Sequence, residues 1–173
     1  ILTKNLIVIG VIGILVSGGM WFITSRMAQI DNAYSTFLDK DARAWAEISR
    51  VNRNVYELRY LMNRLINEQD TQVMKKIEAQ IGKAFEENGT LTANVKALVP
   101  AYTQQIDAIT DQVGKLKVAM QGVVKLVLSG RDDANQVAKA KVDPIFESTE
   151  KAAIAARDAM DHGIKQGSQH LGT

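Results

Sequence analysis

Arg50, Arg53, Arg59 and Arg64 fall within fifteen residues of one another, with Asn52 and Tyr56 interleaved. A guanidinium is planar, keeps its charge and offers paired N–H donors, so it grips carboxylates through two parallel hydrogen bonds. Asparagine and tyrosine add neutral donors and acceptors that can orient such an anion. The chemistry within reach of these side chains is recognition of a small anion. Reaction chemistry has no visible apparatus. Cysteine is absent, and no G-x-x-x-x-G-K-S/T, G-x-S-x-G or H-E-x-x-H pattern occurs. The expectation is a protein that is not an enzyme and has no cofactor. His162 and His170 stand eight apart, and two such ligands without nearby cysteine are too few for a metal site.

A helix of about 100° per residue, with Ile48 as origin, puts Arg59 at about +20° and Asn52 at about +40°, inside an apolar stripe. A buried guanidinium needs partners, because an unpaired buried charge is costly. Two arrangements supply one: an anion bound near a helix or subunit interface, or an internal pair with an acid such as Glu78 or Asp107. Arg50, Arg53 and Arg64 fall near about 200°, 140° and 160°, with Glu57 at about 180°. That face is solvated in a monomer. In a dimer it would oppose its symmetry mate, and a small anion would reduce the repulsion among the Arg50 and Arg53 charges.

The elements that must position these residues are helical. Residues 6–24 form a 19-residue run without a charge, enough at about 1.5 Å per residue to match the roughly 30 Å core of a bilayer. A cleaved signal peptide is the competing reading, but its apolar core is normally about 7–15 residues, and no A-x-A-like cleavage site follows. Residues 1–25 are therefore read as a transmembrane helix, in which Gly10, Gly13 and Ser17 could allow close helix approach. Lys4 and Arg26 flank the run on opposite sides, so the positive-inside rule does not orient it. The chain starts at Ile1 and has no second apolar span, which reads as a piece of a longer protein.

Beyond the run, four helices are expected at about 26–69, 71–98, 101–129 and 132–170. The first carries Tyr34, Phe37, Leu38, Trp45, Ile48, Val55, Leu58, Met62, Leu65 and Ile66. The second carries Ile77, Ile81, Phe85, Leu91, Val95 and Leu98, starts at an Asp70 or Thr71 cap, and keeps its phase across Asn88–Gly89. In the third, Tyr102, Ile106, Ile109, Val113, Leu116, Met120, Val123 and Val127 alternate in steps of four and three, the period of a left-handed supercoiled seam. Ser129–Gly130 suits a left-handed end to it.

The fourth carries Ala138, Val142, Ile145, Thr149, Ala152, Ala156, Met160 and Ile164, with Asp132–Asp133 as its cap. Asp143–Pro144 either kinks it or breaks it, with Asp143 as a fresh cap. Two long arms and two shorter ones make an all-α, up-down-up-down antiparallel four-helix bundle, both long arms ending at the membrane. The charges, 21 Lys+Arg against 19 Asp+Glu, are too balanced for a nucleic-acid partner.

This organisation resembles the sensor region of bacterial methyl-accepting chemotaxis receptors, over essentially the whole chain. Local similarity is best in Ser49–Met62 (SRVNRNVYELRYLM), which looks like the arginine-bearing part of the first bundle helix in the family's amino-acid receptors. The resemblance implies that helix 1 arginines of two subunits grip a ligand carboxylate at a dimer interface. Two of that trio correspond to Arg50 and Arg59. The middle one corresponds to Val55, with Arg53 as a neighbouring substitute, and the family's Pro-Thr on helix 4 is Pro144–Ile145 here. Both departures count against aspartate or serine as the ligand.

The expected function is extracytoplasmic sensing of a small anionic metabolite, an organic acid or amino acid, by a homodimer. Its ligand-binding candidates are Arg50, Asn52, Arg53, Tyr56 and Arg59. The resemblance further implies residues 26–173 in the periplasm, an anchor in the bacterial inner membrane and a cytoplasmic kinase pathway reached through further segments. The same bundle on a histidine kinase or a diguanylate cyclase, or a membrane-anchored helical scaffold without a ligand, are the alternatives.

Overall fold

The computed structural model describes the backbone of residues 2–36 and 40–171, and the side chains of 16–32, 35, 40–163 and 165. The helices are α1 (Leu2–Thr36), α2 (Ala42–Asn67), α3 (Thr71–Leu98), α4 (Thr103–Leu128), α5 (Ala134–Lys141) and α6 (Asp143–Leu171), with a one-turn 3-10 helix at Pro100–Tyr102. No strand occurs among the described residues. α2 and α4 each pack against both α3 and α6, so the order around the bundle is α2, α3, α4, α6. Short links make neighbours antiparallel, and the fold is an all-α up-down-up-down bundle.

Local chemistry sets the ends. The Asp70 carboxylate accepts from the backbone N–H groups of Gln72 (2.7 Å) and Val73 (3.3 Å), starting α3 where expected. At the end of α4, Gly130 takes φ 70°. Its N–H reaches the Val127 carbonyl (3.0 Å) and the Arg131 N–H reaches Leu126 (3.1 Å), the paired closure of a Schellman end.

The expected fourth rod is divided. Pro144 has no N–H to give the Ala140 carbonyl, so α5 stops at Lys141 and α6 begins at Asp143 with the proline in its first turn. Asp133 stands at the cap of α5 without capping it. Its carboxylate is held by Arg131 instead, Nε to Oδ1 at 3.0 Å and Nη2 to Oδ2 at 2.6 Å. Of the rod expected over 26–69, α1 is described to Thr36 and α2 from Ala42, and residues 37–39 between them lie outside the described residues. Of its apolar row, the side chains of Tyr34, Phe37 and Leu38 lie outside the described residues.

The core follows the α4 seam closely: Ile106, Ile109, Val113, Leu116, Met120, Val123 and Val127 are all buried. In α2 the buried row is Ala44, Ile48, Val51, Val55, Leu58, Met62 and Leu65, with Asn54 and Leu61 also inside. Its centre lies at about −65° from Ile48 on a 100° wheel, not at Ile48 itself. Trp45, expected in the core, is about 125° from that centre, and it is 41% exposed. The same shift moves Arg59 from the middle of the apolar stripe to its edge.

Among the described residues no helix is long and apolar enough to cross a membrane. The side chains of residues 2–15, which hold most of the apolar run as well as Gly10 and Gly13, are not among them.

Candidate functional site

α2 lies between α3 and α6, and its polar candidates divide among those two seams and its outer surface. Arg50 faces α3, where its Nη2 meets Glu87 Oε1 at 3.0 Å in an ion pair with both side chains well exposed. Such a pair contributes little to stability. Arg53 is exposed on the outer surface of the helix, as are Glu57 and Arg64. The five candidates therefore do not form one cluster.

The α6 side gathers three of them. The guanidinium carbon of Arg59 sits 5.7 Å from the centroid of the Phe146 ring, a cation–π contact. Among the described residues Arg59 has no ion pair. Glu78 is exposed, and Asp107 is engaged by Lys96 instead. One turn along α2, the Tyr56 hydroxyl donates to Glu150 Oε1. That hydrogen bond raises the Tyr56 pKa above its ordinary value of 10.0, with the Glu150 charge adding to the effect and those of Arg59 and Arg157 opposing it. One turn further back, the Oδ1 of Asn52 is buried and meets no hydrogen-bond partner among the described residues.

The register explains this convergence. Arg59 meets Phe146 and Tyr56 meets Glu150, so each step along α2 is matched by an opposite step along α6, as in any antiparallel pair. Positions 52, 56 and 59 share one flank of α2, while 146 and 150 share one flank of α6. Phe146, Glu150 and Arg157 were not among the residues singled out from the sequence. The α6 stripe was drawn through Ile145, whereas the buried aromatic is Phe146, at 2% exposure. An aromatic and an acid four apart on one helix is a weak signal, and it gains meaning only once α2 and α6 are aligned.

At and beyond the edge of this seam, α2 shows aromatic side chains to solvent: Tyr56 at 46% exposure, with Trp45 and Tyr60, the latter at 63%. Aromatic and arginine side chains are the types enriched at protein interfaces. On α1, Val16, Met20, Trp21, Phe22, Ile23, Met27 and Ile30 are exposed, and Arg26 stacks over Phe22 at 5.5 Å.

The described helices thus form a bundle with polar and cationic side chains along the seam between α2 and α6. One family profile, described as a four helix bundle sensory module for signal transduction, matches residues 4–165. The chain belongs to that family, the four-helix-bundle sensory module of chemotaxis receptors. No curated protein and no solved structure matches it.

Proposed function

We propose that this sensory module detects a small organic anion, an organic acid or an amino acid, at the α2–α6 seam. The observation that carries the reading is Arg59: a cation at the edge of the core, stacked on Phe146, with no counter-ion among the described residues. A carboxylate there would gain a charge-assisted bond to the guanidinium and a neutral donor from Tyr56, while the Asn52 amide could orient the rest of the ligand. The protein acts by binding and not by catalysis.

The seam joins the helix that follows α1 to the helix that leaves the bundle. A ligand that favours one relative placement of α2 and α6 biases whatever lies beyond their ends, by a coupling of about 1–3 kcal/mol. We infer a homodimer in which the exposed Trp45, Tyr56 and Tyr60 side of α2 meets its symmetry mate, with Arg50 and Arg53 contributing at its margin. α1 is the inner-membrane anchor, a placement supported by its exposed apolar side chains beyond residue 16 and by the uncharged run in the sequence. Residues 26–173 then face the periplasm, and the signal passes to a cytoplasmic kinase pathway.

A thermal-shift screen of the detergent-solubilised chain against organic acids and amino acids tests the reading. At least one anion should raise the melting temperature of the parent and fail to do so in Arg59→Ala. A flat response to every anion would leave a bundle without the proposed ligand.

A further inference from the structure

The α2–α6 seam already holds a carboxylate, its own. Glu150 occupies the place where a ligand carboxylate would find its donors: the Tyr56 hydroxyl binds it directly. Arg59 and Arg157 both lie close enough to act on the same phenol electrostatically. Arg157 is engaged with its neighbour Asp158, at 2.9 Å, and among the described residues Arg59 meets only the Phe146 ring. The Tyr56 hydroxyl is thus bound to one acid and lies within electrostatic reach of two guanidinium groups from two helices.

We propose that Glu150 is a built-in competitor for the anion site: its carboxylate occupies the ligand's place in the resting bundle and must leave Tyr56 when a ligand carboxylate enters. The proposal rests on the anion-sensing reading and adds its regulation. A tethered carboxylate acts at a high effective concentration, so it raises the ligand concentration needed for occupancy without changing the ligand's own contacts. It also gives the two states a physical difference. In one, α2 and α6 are tied through Tyr56 and Glu150; in the other, the tie is replaced by a ligand bridge. Exchange of one bridge for another between the same two helices is a change that can move them relative to each other. A hydrogen bond exposed at the surface is well suited to that role, because water can take over either partner as it opens.

Glu150→Gln separates the competitor from other roles of the residue. The amide keeps the size and an acceptor for Tyr56 but loses the negative charge with which Glu150 would compete against a ligand carboxylate. Glu147, exposed one turn earlier on α6, gives the control for a mere change of net charge. Succinate serves as the probe, titrated by nuclear magnetic resonance into the full chain in detergent micelles. The variants are Glu150→Gln, Glu147→Gln and Glu150→Gln/Arg59→Ala, each first checked for helicity by circular dichroism.

The expected result is a dissociation constant about tenfold lower in Glu150→Gln than in the parent, the factor for removing one charged competitor bond. Glu147→Gln should stay within about twofold of the parent on the same scale. The gain should vanish in Glu150→Gln/Arg59→Ala. Equal affinities for parent and Glu150→Gln would overturn the competitor and leave the anion site standing. Equal gains in Glu150→Gln and Glu147→Gln would also overturn it, as a general charge effect. No succinate binding by any of the folded proteins would overturn the competitor, while the anion site itself stands or falls with the wider screen of organic acids and amino acids.

Discussion

Tyr102 lies in the space that a side chain on Gly163 would fill. A β-carbon built on Gly163 would fall on the Tyr102 hydroxyl and 3.3 Å from its Cζ. Tyr102 belongs to the 3-10 turn between α3 and α4, and Gly163 to the last turns of α6, so a linker is keyed into the helix that leaves the bundle. Glycine inside a helix is normally about 1 kcal/mol worse than alanine; here its smallness admits the ring. Gly163→Ala should therefore forfeit that gain and destabilise the bundle by about 1–3 kcal/mol through overpacking. In a Tyr102→Ala background the same change should stabilise by up to about 1 kcal/mol. Urea unfolding of the four corners of this double-mutant cycle measures the coupling, and additive effects would mean that the ring does not need the notch.

Leu116 is fully buried in the α4 seam, whereas Lys115 next to it is exposed and paired with Asp111 on its own helix, at 2.7 Å. Leu116→Ala should cost about 2–5 kcal/mol, from lost transfer energy and the cavity left behind. Lys115→Ala should change stability by less than about 0.5 kcal/mol. Comparable midpoints for the two variants in a denaturant titration would place the seam out of register.

Asn88 is completely buried on α3, and neither its Oδ1 nor its Nδ2 meets a hydrogen-bond partner among the described residues. A buried polar group left unpaired costs about 1–3 kcal/mol. Asn88→Leu, of similar size, is expected to raise stability by about 1 kcal/mol or more, read from the thermal or urea midpoint. A destabilised Asn88→Leu would show that the amide is satisfied in solution.

The phenol of Tyr56 should titrate above its ordinary 10.0, chiefly because its hydroxyl donates to Glu150. A raised folded-state pKa means the stabilisation is fully present below pH 10 and is lost as pH climbs through the folded value. Absorbance titration at 295 nm, parent minus Tyr56→Phe, isolates this phenol. Its midpoint should fall toward 10 in Glu150→Gln; an unchanged midpoint would remove Glu150 as the cause.

These contrasts show which parts of the molecule were readable in advance. The α4 seam was legible because every step of its alternation from Ile106 to Val127 is a large aliphatic residue buried in the structure. α3 was legible from the Asp70 cap and from a row that stays in phase through Gly89. The α2 row was misjudged because Ala44 and Val51 are small, and Asn54 polar, yet all are buried on the core side, while the conspicuous Trp45 points away. At the site, Arg59 and Asn52 were visible as polar side chains on the apolar side of the first helix, and Tyr56 as a ligand candidate beside them. Their partners Phe146 and Glu150 were not, since no pattern within α6 encodes its register against a helix about ninety residues earlier. Arg50 pairs with Glu87 for the same reason, through a register that only the folded bundle sets.

Isothermal titration calorimetry of Arg59→Ala tests the central claim most directly. The titrant is the organic anion that most raises the melting temperature of the parent. A charge-assisted bond to a carboxylate contributes about 1.5–3 kcal/mol, so Arg59→Ala should weaken binding about 10- to 150-fold. Arg64→Ala, an exposed charge on the outer face of α2, should bind within about twofold of the parent. A folded Arg59→Ala protein with the parent's affinity would contradict the account and move the anion site away from the α2–α6 seam.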